Sequence, residues 1–387
     1  MLSERGFGQP NQLDSANAVE LPCKALELPL ASEGGYRMIH SLSVENFRCF
    51  QQMSLQDLRL INVVVGDNGS GKTSLLETVF LGAGGHPTHA LRLRNFRGYG
   101  EGQIDLDRAS FETLWKDLFF QLDQERHIKI SLVGSAENTR SVEIQYREDA
   151  EEISVPIGKG LQDATSIVPI AFSYRTPSER HEFVAAIGGE GLKMKGAAPA
   201  MPVSYFSASL RPSPQEAAKR FSDLSIKKGA AKFADTFARV YPQIKSVSAE
   251  LRAGAGLLYG EVDWLPEKVP LSLISDGAFR LASYLIGIAA TAKGVVLIDE
   301  VENGFYYKKM PEIWRALYSF AKAYKTQLII ATHSLECLQA ATDVVEGNET
   351  EFTLLRSIRS SNGYESEVAY ITGEGFRGAM DAELEIR

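Results

Sequence analysis

The run Gly66-Asp67-Asn68-Gly69-Ser70-Gly71-Lys72-Thr73 constrains this chain more than any other stretch. It fits G-x-x-x-x-G-K-[ST] at every fixed position, a spacing that lets backbone amides wrap a phosphate chain. Glycine is needed there because the backbone turns tightly and must come close to its ligand. The flanks agree with this. Residues 60–65 form a short apolar run, β-branched towards its end, as in a strand buried on both faces of a parallel sheet. Residues 74–81 read as a helix whose positive end faces the same phosphates. Strand, glycine turn and helix in that order predict an α/β fold with the loop at a strand's carboxyl end. Residues Gly66 to Ser74 are expected to line the phosphates, with Lys72 at the β and γ positions and the Thr73 hydroxyl on Mg²⁺. ATP or GTP is the implied ligand.

Two further strand ends carry polar residues. Residues 295–298 are wholly apolar and run into Asp299-Glu300. A buried strand delivers such side chains to the carboxyl edge of the sheet, where ligands of open α/β folds sit. Asp299 is expected to hold the metal and Glu300 to orient and polarise a water. Residues 328–331 repeat the form and end in Thr332-His333. A lone histidine is more often structural than catalytic, but at this place His333 is a candidate contact for the γ-phosphate.

Between these motifs the pattern alternates. Strands are predicted at 40–45, then at 127–133, 141–146 and 152–155 as consecutive members of an antiparallel sheet. Further short strands are predicted at 167–172 and 202–206, and residues 82–97 read as a glycine-rich, basic linker. Helical spacing covers 214–240 with a break at Gly229, and a hairpin is predicted around Gly254 and Gly256. After it come a helix at 276–291, a strand, a helix at 311–324, a strand at 327–330, and two strands near 352–358 and 366–371 that finish the sheet edge. No sustained heptad repeat is present, so a long coiled-coil arm is not expected.

Composition narrows the class. The chain is 44% hydrophobic and 23% charged, with no apolar run of membrane-spanning length, and its three cysteines are scattered without a paired framework. A cytoplasmic protein with no membrane partner is the expectation. Net charge is −8, so the molecule as a whole is no nucleic-acid-seeking cation. Arg92, Arg94 and Arg97 cluster locally, and Lys219, Arg220, Lys227, Lys228 and Lys232 stud one helical stretch. Solvated surface and a nucleic-acid groove both remain open for them.

Ser275-Asp276-Gly277 opens the helix that precedes Asp299, and Ser275 is a good N-cap. The same geometry suits a γ-phosphate, with a serine hydroxyl and glycine amides at a helix N-terminus. The order of pieces is then Asn46-Phe47-Arg48-Cys49-Phe50, phosphate loop, Ser275-Asp276-Gly277-x-x-Arg280, Asp299-Glu300 and Thr332-His333-Ser334. This order resembles the ABC-type ATPases of the SMC, RecF and OLD group, and most of all the compact OLD-related ATPases often found in anti-phage systems. The resemblance implies an α/β P-loop NTPase of ABC-type head fold, with a mixed or antiparallel β lobe and a helical insert. It implies a flexible extension over 1–37 and one ATPase domain over 38–387, made of an N-lobe (38–172), an inserted region (173–265) and a C-lobe (266–387).

It further implies ATP hydrolysis with Mg²⁺ in a homodimer or larger homo-oligomer closed over ATP, where Ser275 and Gly277 serve a second molecule's nucleotide. Arg48 corresponds to a residue flanking the nucleotide, Arg92 or Arg94 to an arginine loop, and Glu302-Asn303-Gly304 to a loop through which subunits communicate. The stretch after His333 is too short for the nuclease domain of full OLD proteins, so a nuclease or toxin is expected on a separate effector. A RecF-like, DNA-associated ATPase is the alternative. A transporter subunit fits poorly, because Lys72 and Ser275 stand so far apart in sequence.

Overall fold

The computed structural model of the protein describes residues 38–99, 108–134, 139–147, 164–188, 197–252, 254–361 and 363–382, with short strands at 18–19, 104–105, 153–156 and 191–193. The extension expected over 1–37 lies outside the described residues apart from Ala18–Val19, which pairs with Ile104–Asp105.

A six-stranded sheet forms the centre, in the order Val203–Phe206, Val295–Ile298, Gln327–Ala331, Ile61–Val65, Phe352–Arg359, Ser366–Thr372. The first five strands are parallel and the last closes the edge antiparallel. Ile61–Val65, Val295–Ile298 and Gln327–Ala331 are buried at every residue, which explains their largely apolar composition, with the buried Asn62 and Gln327 hydrogen-bonded. Alternate side chains enter two separate cores. Val63, Val65, Val296, Ile298 and Ile330 face the helices Asp276–Ala290, Met310–Tyr324 and Leu335–Val345. Val64, Val295, Leu297, Ile329 and Ala331 face the helix Lys72–Ala83 and a second sheet.

That second sheet is antiparallel, in the order Gly191–Lys193, Arg180–Gly188, Ile170–Arg175, Arg140–Tyr146, Ile128–Gly134, Ile39–Phe47, Phe50–Leu55. Ile128–Gly134 buries every other residue, Ile128, Ile130 and Leu132, because one face meets the core. The helices Pro214–Ile226 and Ala230–Val240 and the hairpin of Ser246–Arg252 with Ala255–Glu261 cover the far side of the helical layer. Ser213 starts the first of these, accepting from the Glu216 amide with Pro214 in the first turn.

Several expectations change. The linker at 82–97 contains a helix, Thr88–Phe96, with His89, Ala90, Leu91 and Leu93 buried. The lobe boundary drawn at 172/173 falls inside the strand Ile170–Arg175. Val203–Phe206, assigned to an insert, is a member of the central sheet. Among the described residues Ile153–Pro156 pairs with Ala164–Ile167 alone, in a two-stranded ladder. Phe352–Arg359 is interior, between the phosphate-loop strand and the edge strand. Among the described residues no helix is long and apolar enough to cross a membrane, and the longest described helices run to 15 residues.

Candidate active site

The phosphate loop leaves the end of Ile61–Val65 and enters Lys72–Ala83 directly. Two glycines are dictated by space as well as by backbone angle. Gly66 has φ +141°, and a Cβ there would lie 2.1 Å from the Ser357 carbonyl oxygen. Gly71 has φ +107°, and a Cβ would lie 2.8 Å from Cys49 Sγ. The Ser357 hydroxyl donates to the Ser70 carbonyl at 2.7 Å, so the last interior strand braces the loop. Lys72 Nζ donates to the carbonyls of Gly66 and Asp67, at 2.7 and 2.9 Å. Its side chain is buried, and that burial holds the ammonium below its usual range against the pull of Asp299 and Glu300. Asp67, Asn68 and Gly69 are exposed, while Ser70 and Ser74 are buried.

Parallel pairing of Val295–Ile298 with Gln327–Ala331, Ile298 opposite Ile330, sets Asp299-Glu300 beside Thr332-His333. The Thr73 hydroxyl donates to the Asp299 carboxylate at 2.9 Å. Burial pushes the Asp299 carboxyl up to about 6, opposed by that hydrogen bond and reinforced by the Glu300 charge. Glu300 sits at φ +49°, an uncommon conformation for a glutamate, and its carboxylate accepts from Asn303 Nδ2 at 2.7 Å. His333 Nδ1 lies 3.8 Å from Glu300 and 3.2 Å from Glu302.

Among the described residues no cluster of three or more His, Cys, Asp or Glu is built to hold a metal. The available donors are the Thr73 hydroxyl and the Asp299 carboxylate. Two hard oxygens beside a phosphate site fit Mg²⁺, which takes its remaining ligands from water and phosphate.

Ser275 caps Asp276–Ala290, accepting from the Ala278 amide at 3.2 Å. Asp276 is bound by Arg211 at 3.2 Å and Arg280 at 3.0 Å. Gly277 is glycine for lack of room, since a Cβ would meet the Gly304 carbonyl at 2.6 Å. The helix Asp276–Ala290, whose opening Ser275-Asp276-Gly277 is termed the signature, and the phosphate-loop helix occupy opposite faces of the central sheet.

Arg48 does not present a free guanidinium. It is fixed at 2.9 Å from Asp117 and 3.2 Å from Glu77. Glu77, one helical turn beyond Thr73, is fully buried and also takes two hydrogen bonds from Arg97, at 2.6 and 2.8 Å. Arg92 lies over the rings of Phe80 and Phe96, and Arg94 donates to the Thr113 carbonyl. Of the cluster left open between surface and nucleic-acid groove, Arg92 and Arg97 therefore engage the phosphate-loop helix, through Phe80 and Glu77. Glu77 was missed. The only sequence signal was an acid inside an otherwise apolar helical run. Ser357 was missed too, and nothing local marks it.

A family model described as "AAA domain, putative AbiEii toxin, Type IV TA system" matches residues 61–338. The chain belongs to this AAA-domain family. A second model, "AAA ATPase domain", matches residues 38–82, and the protein is an ATPase. The AAA-domain chain is 22% identical to an ATP/GTP phosphatase of Helicobacter pylori over 345 residues, 80% of this chain and 88% of the relative. It is 30% identical to the DNA replication and repair protein RecF of Shewanella frigidimarina over 152 residues, 37% of this chain and 36% of RecF. With RecF of Idiomarina loihiensis it shares 49% identity over 43 residues, so the chain spans little of either RecF. An SMC head domain from Thermotoga maritima matches 86% of this chain and 98% of its own, at TM-score 0.46 and 13% identity.

Proposed function

We propose that this ATPase works as an ATP-driven switch: two copies close over ATP and thereby control a separate effector, a nuclease or toxin, in anti-phage defence. One observation carries the paired arrangement. The helices opened by Ser275 and by the phosphate loop pack on opposite faces of one sheet, which supports a signature that serves the nucleotide of a second chain. The exposed flanks of the signature support this, with Leu273 77% exposed and Arg211 72% exposed on its side chain. In this scheme Lys72 and the loop amides bind the β- and γ-phosphates, and Thr73 and Asp299 hold Mg²⁺, which would neutralise charge on the transferring phosphoryl group. Glu300 orients the attacking water and His333 faces the γ-phosphate. Ser275 and Gly277 meet that phosphate from the second copy. The family's description as a putative toxin of a toxin–antitoxin system supports an effector link.

Light scattering tests the pairing. Glu300→Gln is expected to bind ATP, hydrolyse it poorly and accumulate as a dimer or larger assembly with ATP. Glu300→Gln with Ser275→Arg is expected to bind ATP and stay at its smaller mass. Equal masses for the two variants in ATP would sink the paired mechanism. The relatives named RecF favour a second reading, a DNA-associated ATPase in repair. Stimulation of hydrolysis by duplex DNA would select it over the first.

A further inference from the structure

The loop after Glu300 holds a carboxylate that none of the roles above uses. Glu302 is only 15% exposed on its side chain, and its Oε2 is buried without a hydrogen-bond partner. Burying a carboxylate is costly unless its remaining contacts compensate. Those contacts converge on one residue. Oε1 accepts from the His333 backbone amide at 3.1 Å and lies 3.2 Å from His333 Nδ1. Both the start of the His333 residue and its ring are thus held by a single oxygen.

We propose that Glu302 is a positioning residue for hydrolysis: it holds the His333 ring by Nδ1 and leaves Nε2 to face the nucleotide. A carboxylate only accepts, so the ring sits favourably against it at 3.2 Å with its proton on Nδ1. A second-sphere carboxylate fixes both the tautomer and the ring plane of a functional histidine. The alternative orientation, with Nδ1 turned to the nucleotide, gives up this contact. The same loop carries Gly304, whose carbonyl packs on Gly277 of the signature helix. Glu302 therefore links the ring orientation of His333 to the segment that touches the signature.

The inference rests on the reading of His333 as a γ-phosphate contact, and the test separates the two. ATP hydrolysis is measured for Glu302→Ala, Glu302→Gln, His333→Ala and the double alanine variant, with melting temperatures as a check on folding. Glu302→Ala is expected to lower kcat about ten- to a hundredfold, with KM for ATP little changed. Glu302→Gln keeps an acceptor oxygen and is expected to recover most of the rate. In the His333→Ala background the Glu302→Ala change should have little further effect, since both act through one ring. If His333→Ala hydrolyses at the normal rate, the reading of His333 fails and the inference falls with it. If His333→Ala is impaired while Glu302→Ala is not, or if the two losses multiply, Glu302 does not act through His333. Glu302→Gln as slow as Glu302→Ala also overturns the proposal.

Discussion

The Thr73 hydroxyl donates to the Asp299 carboxylate across 2.9 Å, joining residues 226 positions apart. The bond ties the first turn of the phosphate-loop helix to the end of a neighbouring strand and gathers two hard oxygen donors at one point.

The cost of that placement is testable. Asp299 titrates near 6 in the fold against its ordinary 3.8. Its folded value is raised, so its contribution to stability is full below about pH 4, declines as the pH climbs to about 6, and stays lost above. A shift of about 2 units corresponds to about 3 kcal/mol. Without Mg²⁺, Asp299→Asn should raise the melting temperature by about 5 °C at pH 8 and leave it unchanged at pH 4. The variant should not hydrolyse ATP. An equal gain at both pH values would show that the carboxylate is not strained by burial.

Lys72→Ala should fold normally and lose ATP affinity by about a hundredfold, on the order of two charge-assisted hydrogen bonds. Calorimetric titration reads this directly. Unchanged affinity in a folded variant would remove Lys72 from the phosphate site.

Glu77→Ala should destabilise by about 3 kcal/mol, because it removes one of the two carboxylates that hold the buried Arg48 guanidinium and frees Arg97. The same logic gives Arg92→Glu with Arg94→Glu a stability loss even when no nucleic acid is present. Denaturant midpoints check both. A double-glutamate variant with wild-type stability would return those arginines to the surface.

Gly66→Ala should abolish nucleotide binding, since a Cβ has no room against Ser357. Gly98→Ala is the control. Gly98 also has positive φ, yet nothing lies within 4 Å of its Cβ position, so only about 1 kcal/mol of backbone strain is expected. Fluorescent ATP-analogue binding to the two variants decides whether space, and not φ alone, fixes Gly66.

The legible parts of this molecule are those written in contiguous residues. Gly66 to Thr73, the apolar run into Asp299-Glu300 and the run into His333 each state a strand, a turn and a chemistry in fewer than ten positions. The illegible parts are tertiary. Glycines at 82, 84 and 85 and Pro87 punctuate the sequence as a linker, and they hide the helix that follows, whose Leu91 and Leu93 are buried by packing. Glu77 looks like an ordinary helical surface acid until Arg48 and Arg97 arrive from either side. The 173–265 segment reads as an insert because its helices are consecutive. Its first strands, however, belong to the antiparallel sheet and Val203–Phe206 to the central one, where the partner Val295–Ile298 is too distant in sequence to leave a local pattern.

The phosphate-loop strand has its neighbours, Gln327–Ala331 and Phe352–Arg359, near the other end of the chain. Ser357 braces Ser70 from 287 residues away. During synthesis the nascent chain therefore carries an unpaired, mostly apolar strand for on the order of tens of seconds before its partners leave the ribosome. Contacts of such long range also slow folding, because their loop-closure entropy is lost before the pairing is gained. Competence for ATP arrives among the last properties of the growing chain, and a product truncated before Ser357 emerges has a phosphate-binding sequence without the strand that braces it.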